Sequence, residues 1–308
     1  MKRIKLKAPA TIANLVCGFD ILGLCLEEPY DIMEVTLLNE RKVIIHNTGD
    51  STLPTEPHLN TAGAPLLEMI SELNESIGFE ISIQKNIKPG SGLGSSAASA
   101  AGAVVAANYL LDNRFSKYDL VRFAMAGEKV ASGVKHADNI APVIYGGTTL
   151  IRSIFPLDIV PIPSPPLFIT IVHPQIEVRT SDARQILRKE VLLKDAIKQW
   201  GNIAGLVAGL MKSDYELIGR SLEDIIIEPL RSILIPEFNT IKKRCIEADA
   251  LGGGISGSGP SIFMLSRDEQ TAYEVEEIMK EVYDKISLHH YTYVTSVNHH
   301  GCTILEHE

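Results

Sequence analysis

Gly90, Gly92 and Gly94 alternate along KPGSGLGSSAASAAGAVVAA (residues 88–107), and Ser95 and Ser96 follow at once. The preceding FEISIQKNI (79–87) alternates apolar and polar residues and predicts a strand, while the small residues from about Ser95 to Leu111 predict a helix. Strand, glycine turn and helix start together form an anion site. The first helical turn has unpaired N–H groups and about half a positive charge. Glycines let the backbone approach a phosphate at angles closed to other residues, and serine hydroxyls can reach phosphate oxygens or a metal. Pro89, Gly90, Ser91, Gly92, Leu93, Gly94, Ser95 and Ser96 are therefore the candidate nucleotide-binding residues. The plainer alternative is a flexible loop before a packing helix.

Two familiar phosphate motifs do not fit. A Walker A loop needs a Lys that does not follow Gly94, and the dinucleotide fingerprint needs glycine where Ser95 stands. Gly252, Gly254 and Gly257 do spell G-x-G-x-x-G, but SGPSIFML after them reads as a turn and a strand rather than a helix. That second cluster is expected to form a tight turn between domains, with Ser256 and Ser258 steadying the first glycine loop or the substrate, or serving structure alone.

Glu128 is a carboxylate on an apolar face. Ser116, with Asp119 three residues on, predicts a helix start, and Gly133 a stop. Val121, Ala124, Met125 and Glu128 share one face of that helix. A buried carboxylate needs a partner. Mg²⁺ beside a nucleotide phosphate, with Ser96 as a further oxygen ligand, is one; a Lys or Arg is the other.

These residues need a scaffold, and the 308-residue chain is long enough for more than one domain. PIPSPP (161–166) punctuates it near the middle, giving expected domains at 1–163 and 164–308. Strand-like runs (RIKLKAPAT, DIMEVTLL, LFITIVH, SIFML, YTYVTSV) interleave with helical segments near 182–222, 237–249 and 268–285, which predicts an α+β fold. The net charge of −9 and the lack of a basic block argue against nucleic acid. No apolar run has membrane-spanning length, and MKRIKLKAPAT does not read as a secretory signal, so a cytoplasmic location is expected. Cys17, Cys25, Cys245 and Cys302 form no C-x-x-C pair and read as reduced thiols. The histidines at 289, 290, 299, 300 and 307 read as solvated edge residues rather than a metal patch.

PATIANLVCGFDILGLCL (9–26), PGSGLGSSAAS (89–99) and GGGISGSGPSIF (252–263) resemble, in order and spacing, the three motifs of the GHMP kinases. The first motif, with HADNIAPVIYGG (136–147), VRTSDAR (178–184), EPLRSILIPEF (228–238) and the chain length, is most similar to the homoserine kinase branch. Ile12, Val16 and Cys17 depart from the usual Ser, Gly and Pro, and Ala137 from a common proline. The resemblance implies an N-terminal domain like ribosomal protein S5 domain 2 and a ferredoxin-like C-terminal domain. It implies ATP on the glycine loop, Mg²⁺ held by Ser96 and Glu128, Asn60 near the nucleoside, and a homodimer. It further implies L-homoserine as substrate and O-phospho-L-homoserine, on the way to threonine, as product. Arg184 and Arg231, with Thr180 in support, would grip the carboxylate, which suits planar guanidinium forks. Asp20 would hold the ammonium, and Asn14, His136 and Asp138 would line the hydroxyl end. Asn139 would donate to the transferring phosphoryl group, and Asp138 could take the proton or only orient the substrate. The rivals are a mevalonate or shikimate kinase, whose substrates lack an ammonium, a catalytically dead binding module on the same fold, and, more distantly, a Rossmann oxidoreductase.

Overall fold

β1 (Arg3–Ala13) begins with alternate residues buried and is buried throughout from Ala8 onward, the pattern of a strand that passes from a sheet's rim to its centre. This computed structural model describes residues 2–48, 53–178 and 180–308; the side chains at 47, 48, 180 and 181 lie outside the described set. β1 pairs antiparallel along most of its length with β2 (Leu22–Leu38), and a register shift between Pro9 and Thr11 bends the pair. β3 (Val43–Thr48), α1 (Gly63–Glu72) and β4 (Gly78–Gln84) follow. Then come α2 (Ser95–Leu110), α3 (Lys117–Ser132), α4 (Ile140–Tyr145) and the hairpin β5 (Thr148–Ile154) and β6 (Leu157–Ile162). The first sheet runs β11-β1-β2-β4-β3, with β5 beside β2 and β6 beside β5; only β3 and β4 pair in parallel.

α2 is apolar on every face and is correspondingly buried against β1 and β2. A side chain at Gly102 would come within 2.9 Å of the Ala8 Cβ, so the glycine lets helix and sheet meet closely. The Ser116–Asp119 capping box and the Gly133 stop of α3 both form.

β7 (Phe168–Pro174) starts just after PIPSPP. It leads into α5 (Thr180–Gln185), α6 (Leu193–Lys212), α7 (Tyr215–Ser221), α8 (Glu228–Arg231) and α9 (Phe238–Glu247), then β8 (Gly252–Ile255) and β9 (Ile262–Ser266). α10 (Glu269–Lys285), β10 (His290–Ser296) and β11 (Thr303–His307) complete the chain. The second sheet runs β10-β7-β9-β8, with α9 and α10 packed on it through Phe238, Ile241, Val275 and Met279. The last strand, β11, returns to pair with β1. Mixed helices and antiparallel-rich sheets match the expected α+β class.

One expected element differs. Gly252 to Gly254 lie in β8, and the tight turn is confined to the residues after Ile255. The reason is close approach: a Cβ at Gly253 would stand 1.9 Å from the Phe263 carbonyl oxygen of the partner strand. The turn beyond β8 stitches the two sheets together. Ser256 Oγ donates to the Gly92 carbonyl at 2.7 Å, the Ser261 N–H donates to the Ser91 carbonyl, and Asn14 Nδ2 donates to the Gly257 carbonyl at 2.9 Å. The glycine loop is thereby pinned at the junction.

Candidate active site

A cavity of about 430 Å³ opens at this junction. One end is built by the glycine loop between β4 and α2. Gly90, Gly92 and Gly94 all take positive φ (76°, 83° and 66°), the region that favours glycine. A Cβ at Gly94 would fall 2.0 Å from Thr11 Oγ1, and one at Gly92 would fall 2.6 Å from the Ser256 carbonyl oxygen. α2 begins without a side-chain cap, so its first amides are left for a ligand. Pro89, Gly90, Gly92, Gly94, Ser95 and Ser96 line the cavity. Ser91 and Leu93 do not; both are buried, and their carbonyls accept from Ser261 and Thr11 and hold the loop.

Glu128 is 7% exposed, and its Oε1 accepts from Ser96 Oγ at 2.6 Å. Burial pushes its carboxyl above the usual range, and the Ser96 hydrogen bond pulls it back part of the way. Among the described residues no Lys or Arg forms an ion pair with it; its partner there is the Ser96 hydroxyl. Two hard oxygen donors facing a cavity suit Mg²⁺, which keeps waters and substrate oxygens in its shell. Among the described residues no cluster of three His, Cys, Asp or Glu forms a fuller cage, and this includes the C-terminal histidines.

Asn60 is turned to another use. Its Nδ2 donates to the Pro54 carbonyl at 2.6 Å, and its Oδ1 accepts from the Ala62 and Gly63 amides at the start of α1. The adjacent wall is apolar instead, formed by Leu53, Leu59, Val130 and Ala131, with Leu59 50% exposed. That wall suits a flat base, and nothing in the sequence flagged it, because its residues come from separate elements.

The other end holds the charged side chains. Arg184 Nη2 donates to Asp20 Oδ1 at 3.1 Å and to His136 Nε2 at 2.8 Å. Arg231 donates through Nε to the Ala183 carbonyl and through Nη1 to the Gly257 carbonyl, each at 3.0 Å. It therefore braces α5 and the second glycine turn while lining the cavity. Phe19 lies between the two cations, its ring centre 5.9 Å from the Arg184 guanidinium carbon and 4.8 Å from that of Arg231. Asn14 and Asp20 both take positive φ, and Asn14 Oδ1 accepts the Asp20 N–H at 3.0 Å, fixing an otherwise disfavoured turn. Thr180 begins α5, but its side chain lies outside the described residues.

Asp138 and Asn139 sit between the two ends. Thr11 Oγ1 donates to Asn139 Oδ1 at 2.8 Å, so the amide N–H₂ is the end left for a ligand. Burial first, and then the Asp20 and Glu128 carboxylates, push Asp138 up to about 7. Burial and nearby Arg184 hold His136 below its ordinary value against the opposing pull of Asp20, which suits an unprotonated Nε2 accepting from Arg184. Arg231 is lowered to about 10, chiefly by burial and then by Arg184. Thr11, Phe19 and Lys85 are further site residues that the sequence reading missed.

Comparisons with known proteins bear on the family and the fold. Residues 61–147 match the GHMP kinases N-terminal domain and residues 206–285 the GHMP kinases C-terminal domain. A homoserine kinase of Chloroherpeton thalassium is 46% identical over 300 residues, 93% of this chain and 94% of that protein. The chain belongs to the homoserine kinase family of the GHMP kinases. A homoserine kinase of Methanococcus maripaludis is 42% identical over 92% of this chain and 94% of the relative, so the family extends across distant organisms. The crystal structure of homoserine kinase from Cytophaga hutchinsonii superposes with a TM-score of 0.94 at 46% identity, covering 98% of this chain and 97% of that one. A mevalonate kinase from L. major shares the GHMP kinase fold alone, with a TM-score of 0.72 at 15% identity over 95% of each chain.

Proposed function

We infer that this protein is an ATP-dependent kinase that moves the γ-phosphoryl group of ATP to the side-chain hydroxyl of L-homoserine, giving O-phospho-L-homoserine for threonine biosynthesis. The observation that carries this reading is one cavity with an uncapped glycine-loop helix at one end and Asp20 against Arg184 at the other. A ligand bearing both a carboxylate and an ammonium can take over both halves of that ion pair. Mevalonate and shikimate have a carboxylate only and would leave Asp20 without a cation. A coupled ADP-release assay with homoserine, mevalonate and shikimate tests this. Homoserine is expected to turn over with a kcat/KM at least about 100-fold above the others, because they leave the part-exposed Asp20 carboxylate without a charged partner. Comparable turnover of mevalonate would defeat the assignment.

In-line phosphoryl transfer through a loose transition state relies on positioning and charge. The cavity-facing amides of the glycine loop and of the first turn of α2 hold the triphosphate, and the leucine and valine wall receives the base. Ser96 and Glu128 would hold Mg²⁺, which when bound would neutralise phosphate charge. Arg184 and Arg231, with Thr180, hold the homoserine carboxylate, and Asp20 takes the ammonium. Asn14 and His136 confine the hydroxyl end. Asp138 orients the acceptor hydroxyl, and its raised pKa suits it to take the proton as the new bond forms. The Asn139 amide donates to the group in transfer. Asn60 is retained near the nucleoside as a support for the loop carrying Leu59 and Thr61 rather than as a direct contact.

The same reading includes a homodimer in the cytoplasm. No helix among the described residues is long and apolar enough to cross a membrane. α6 carries Leu193, Ile197 and Trp200 on one face, 68%, 57% and 59% exposed, and continues through Ala204 to Met211. An antiparallel copy about a two-fold axis would set the Trp200 ring over Ala204. Trp200→Glu is expected to sediment as a monomer at concentrations where the parent chain is a dimer. An unchanged mass would remove α6 from the interface.

A further inference from the structure

Lys85 stands directly after β4, and Asp31 faces it from β2, where the two strands pair antiparallel. Both side chains are buried. Lys85 Nζ donates to three acceptors: Asp31 Oδ2, the Ser95 carbonyl at 3.0 Å and Ser99 Oγ at 3.0 Å. Asp31 Oδ1 accepts the Asn86 and Ile87 amides at 2.8 and 2.9 Å, and Ser95 Oγ donates to the Ile87 carbonyl at 2.8 Å. The end of β4 and the first turn of α2 are therefore laced together on both sides of the glycine loop, and the lacing closes the loop at its base. A cation at a helix N-terminus opposes the helix dipole, so stability of that helix alone does not call for Lys85.

We propose that Lys85 and Asp31 are positioning residues for phosphoryl transfer: a buried clamp that sets the glycine loop and the first amides of α2 for the triphosphate, with Lys85 also cancelling the Asp31 charge beside that anion. One ammonium meets all three acceptors with its three donors, whereas the larger guanidinium presents its donors in a fixed planar fork. Neither residue contacts the amino-acid end of the cavity; of the two, only Lys85 lines the cavity, at its nucleotide end. The inference rests on the reading that the loop holds nucleotide phosphate.

The test compares the parent chain with Lys85→Met, with the charge-neutral pair Lys85→Met/Asp31→Asn, and with Lys85→Arg. MgATP binding is read by calorimetry without homoserine, alongside steady-state kinetics and melting temperature. Measurable ATP binding by the parent chain is the control; its absence would count against the nucleotide reading itself. The clamp predicts that the neutral pair melts near the parent but binds ATP about tenfold more weakly, the size of one or two lost hydrogen bonds. The KM for homoserine should stay within about twofold. Lys85→Met alone, which leaves Asp31 uncompensated, is expected to lose more ATP affinity than the pair. A neutral pair with parental ATP affinity and kcat, or one weakened equally for ATP and homoserine, would overturn the proposal. If the pair does not fold, Lys85→Arg gives the same reading: weaker ATP binding with unchanged homoserine KM supports the clamp, and parental values of both refute it.

Discussion

Arg184→Leu is expected to raise the KM for L-homoserine by on the order of 100-fold while leaving the KM for ATP within about twofold. Removing one partner of a desolvated, hydrogen-bonded charge pair costs about 2–5 kcal/mol, and about 2.7 kcal/mol corresponds to a factor of 100. The low part of that range applies, because roughly a third of the Arg184 side chain remains exposed and water screens the loss. Leucine also removes the donor to His136 Nε2 and leaves Asp20 without its cation, so free enzyme and complex are both affected. Arg184→Lys should recover only part of the loss, since an ammonium cannot reproduce the guanidinium fork. Steady-state kinetics with each substrate varied in turn decide this. A homoserine KM unchanged in Arg184→Leu would remove Arg184 from the substrate site.

Glu128→Gln should lower kcat by about 10²–10³-fold, the usual loss when a preorganised charge at a phosphoryl-transfer site is deleted. The amide has the same shape and can still accept from Ser96 Oγ, so the fold is not at stake. Burial already works against the ionised carboxyl, and the neutral amide removes that penalty. The variant should therefore melt no lower than the parent chain. Slow turnover with an unchanged or raised melting point marks a functional carboxylate. Turnover within about twofold of the parent would show that Glu128 is a structural acid. Reading kcat and KM separately keeps this result distinct from that of Arg184→Leu, which acts on binding.

Much of this arrangement was legible because it is encoded locally. Gly92 and Gly94 are glycines because a Cβ at either would strike a carbonyl or a hydroxyl, and that restriction shows in the chain as a spaced motif. Helix periodicity put Glu128 on a buried face, since seven residues separate it from Val121 on the same stripe. The capping box at Ser116 and the Gly133 stop are likewise short-range signals. What escaped was long-range. Asn60 reads as a ligand residue, but its amide bonds to the Pro54 carbonyl and to the start of α1, a choice made by the turn and not by residue type. The apolar wall joins Leu59 to Val130 across two elements, and Phe19 meets Arg184 and Arg231 only once the chain has folded. Gly253 reads as turn residue and strand residue alike until the carbonyl of Phe263 is in place. The return of β11 to β1 has no signature in either segment, because its register is set by the β1 edge left open by the rest of the sheet.

A crystal structure of the chain with a non-hydrolysable ATP analogue, Mg²⁺ and L-homoserine tests the central claim most directly. The triphosphate is expected within hydrogen-bond reach of the cavity-facing amides of the glycine loop and the first turn of α2, with the homoserine carboxylate on Arg184 and its ammonium on Asp20. Triphosphate density at any other site, or homoserine bound away from the Asp20–Arg184 pair, would contradict the account.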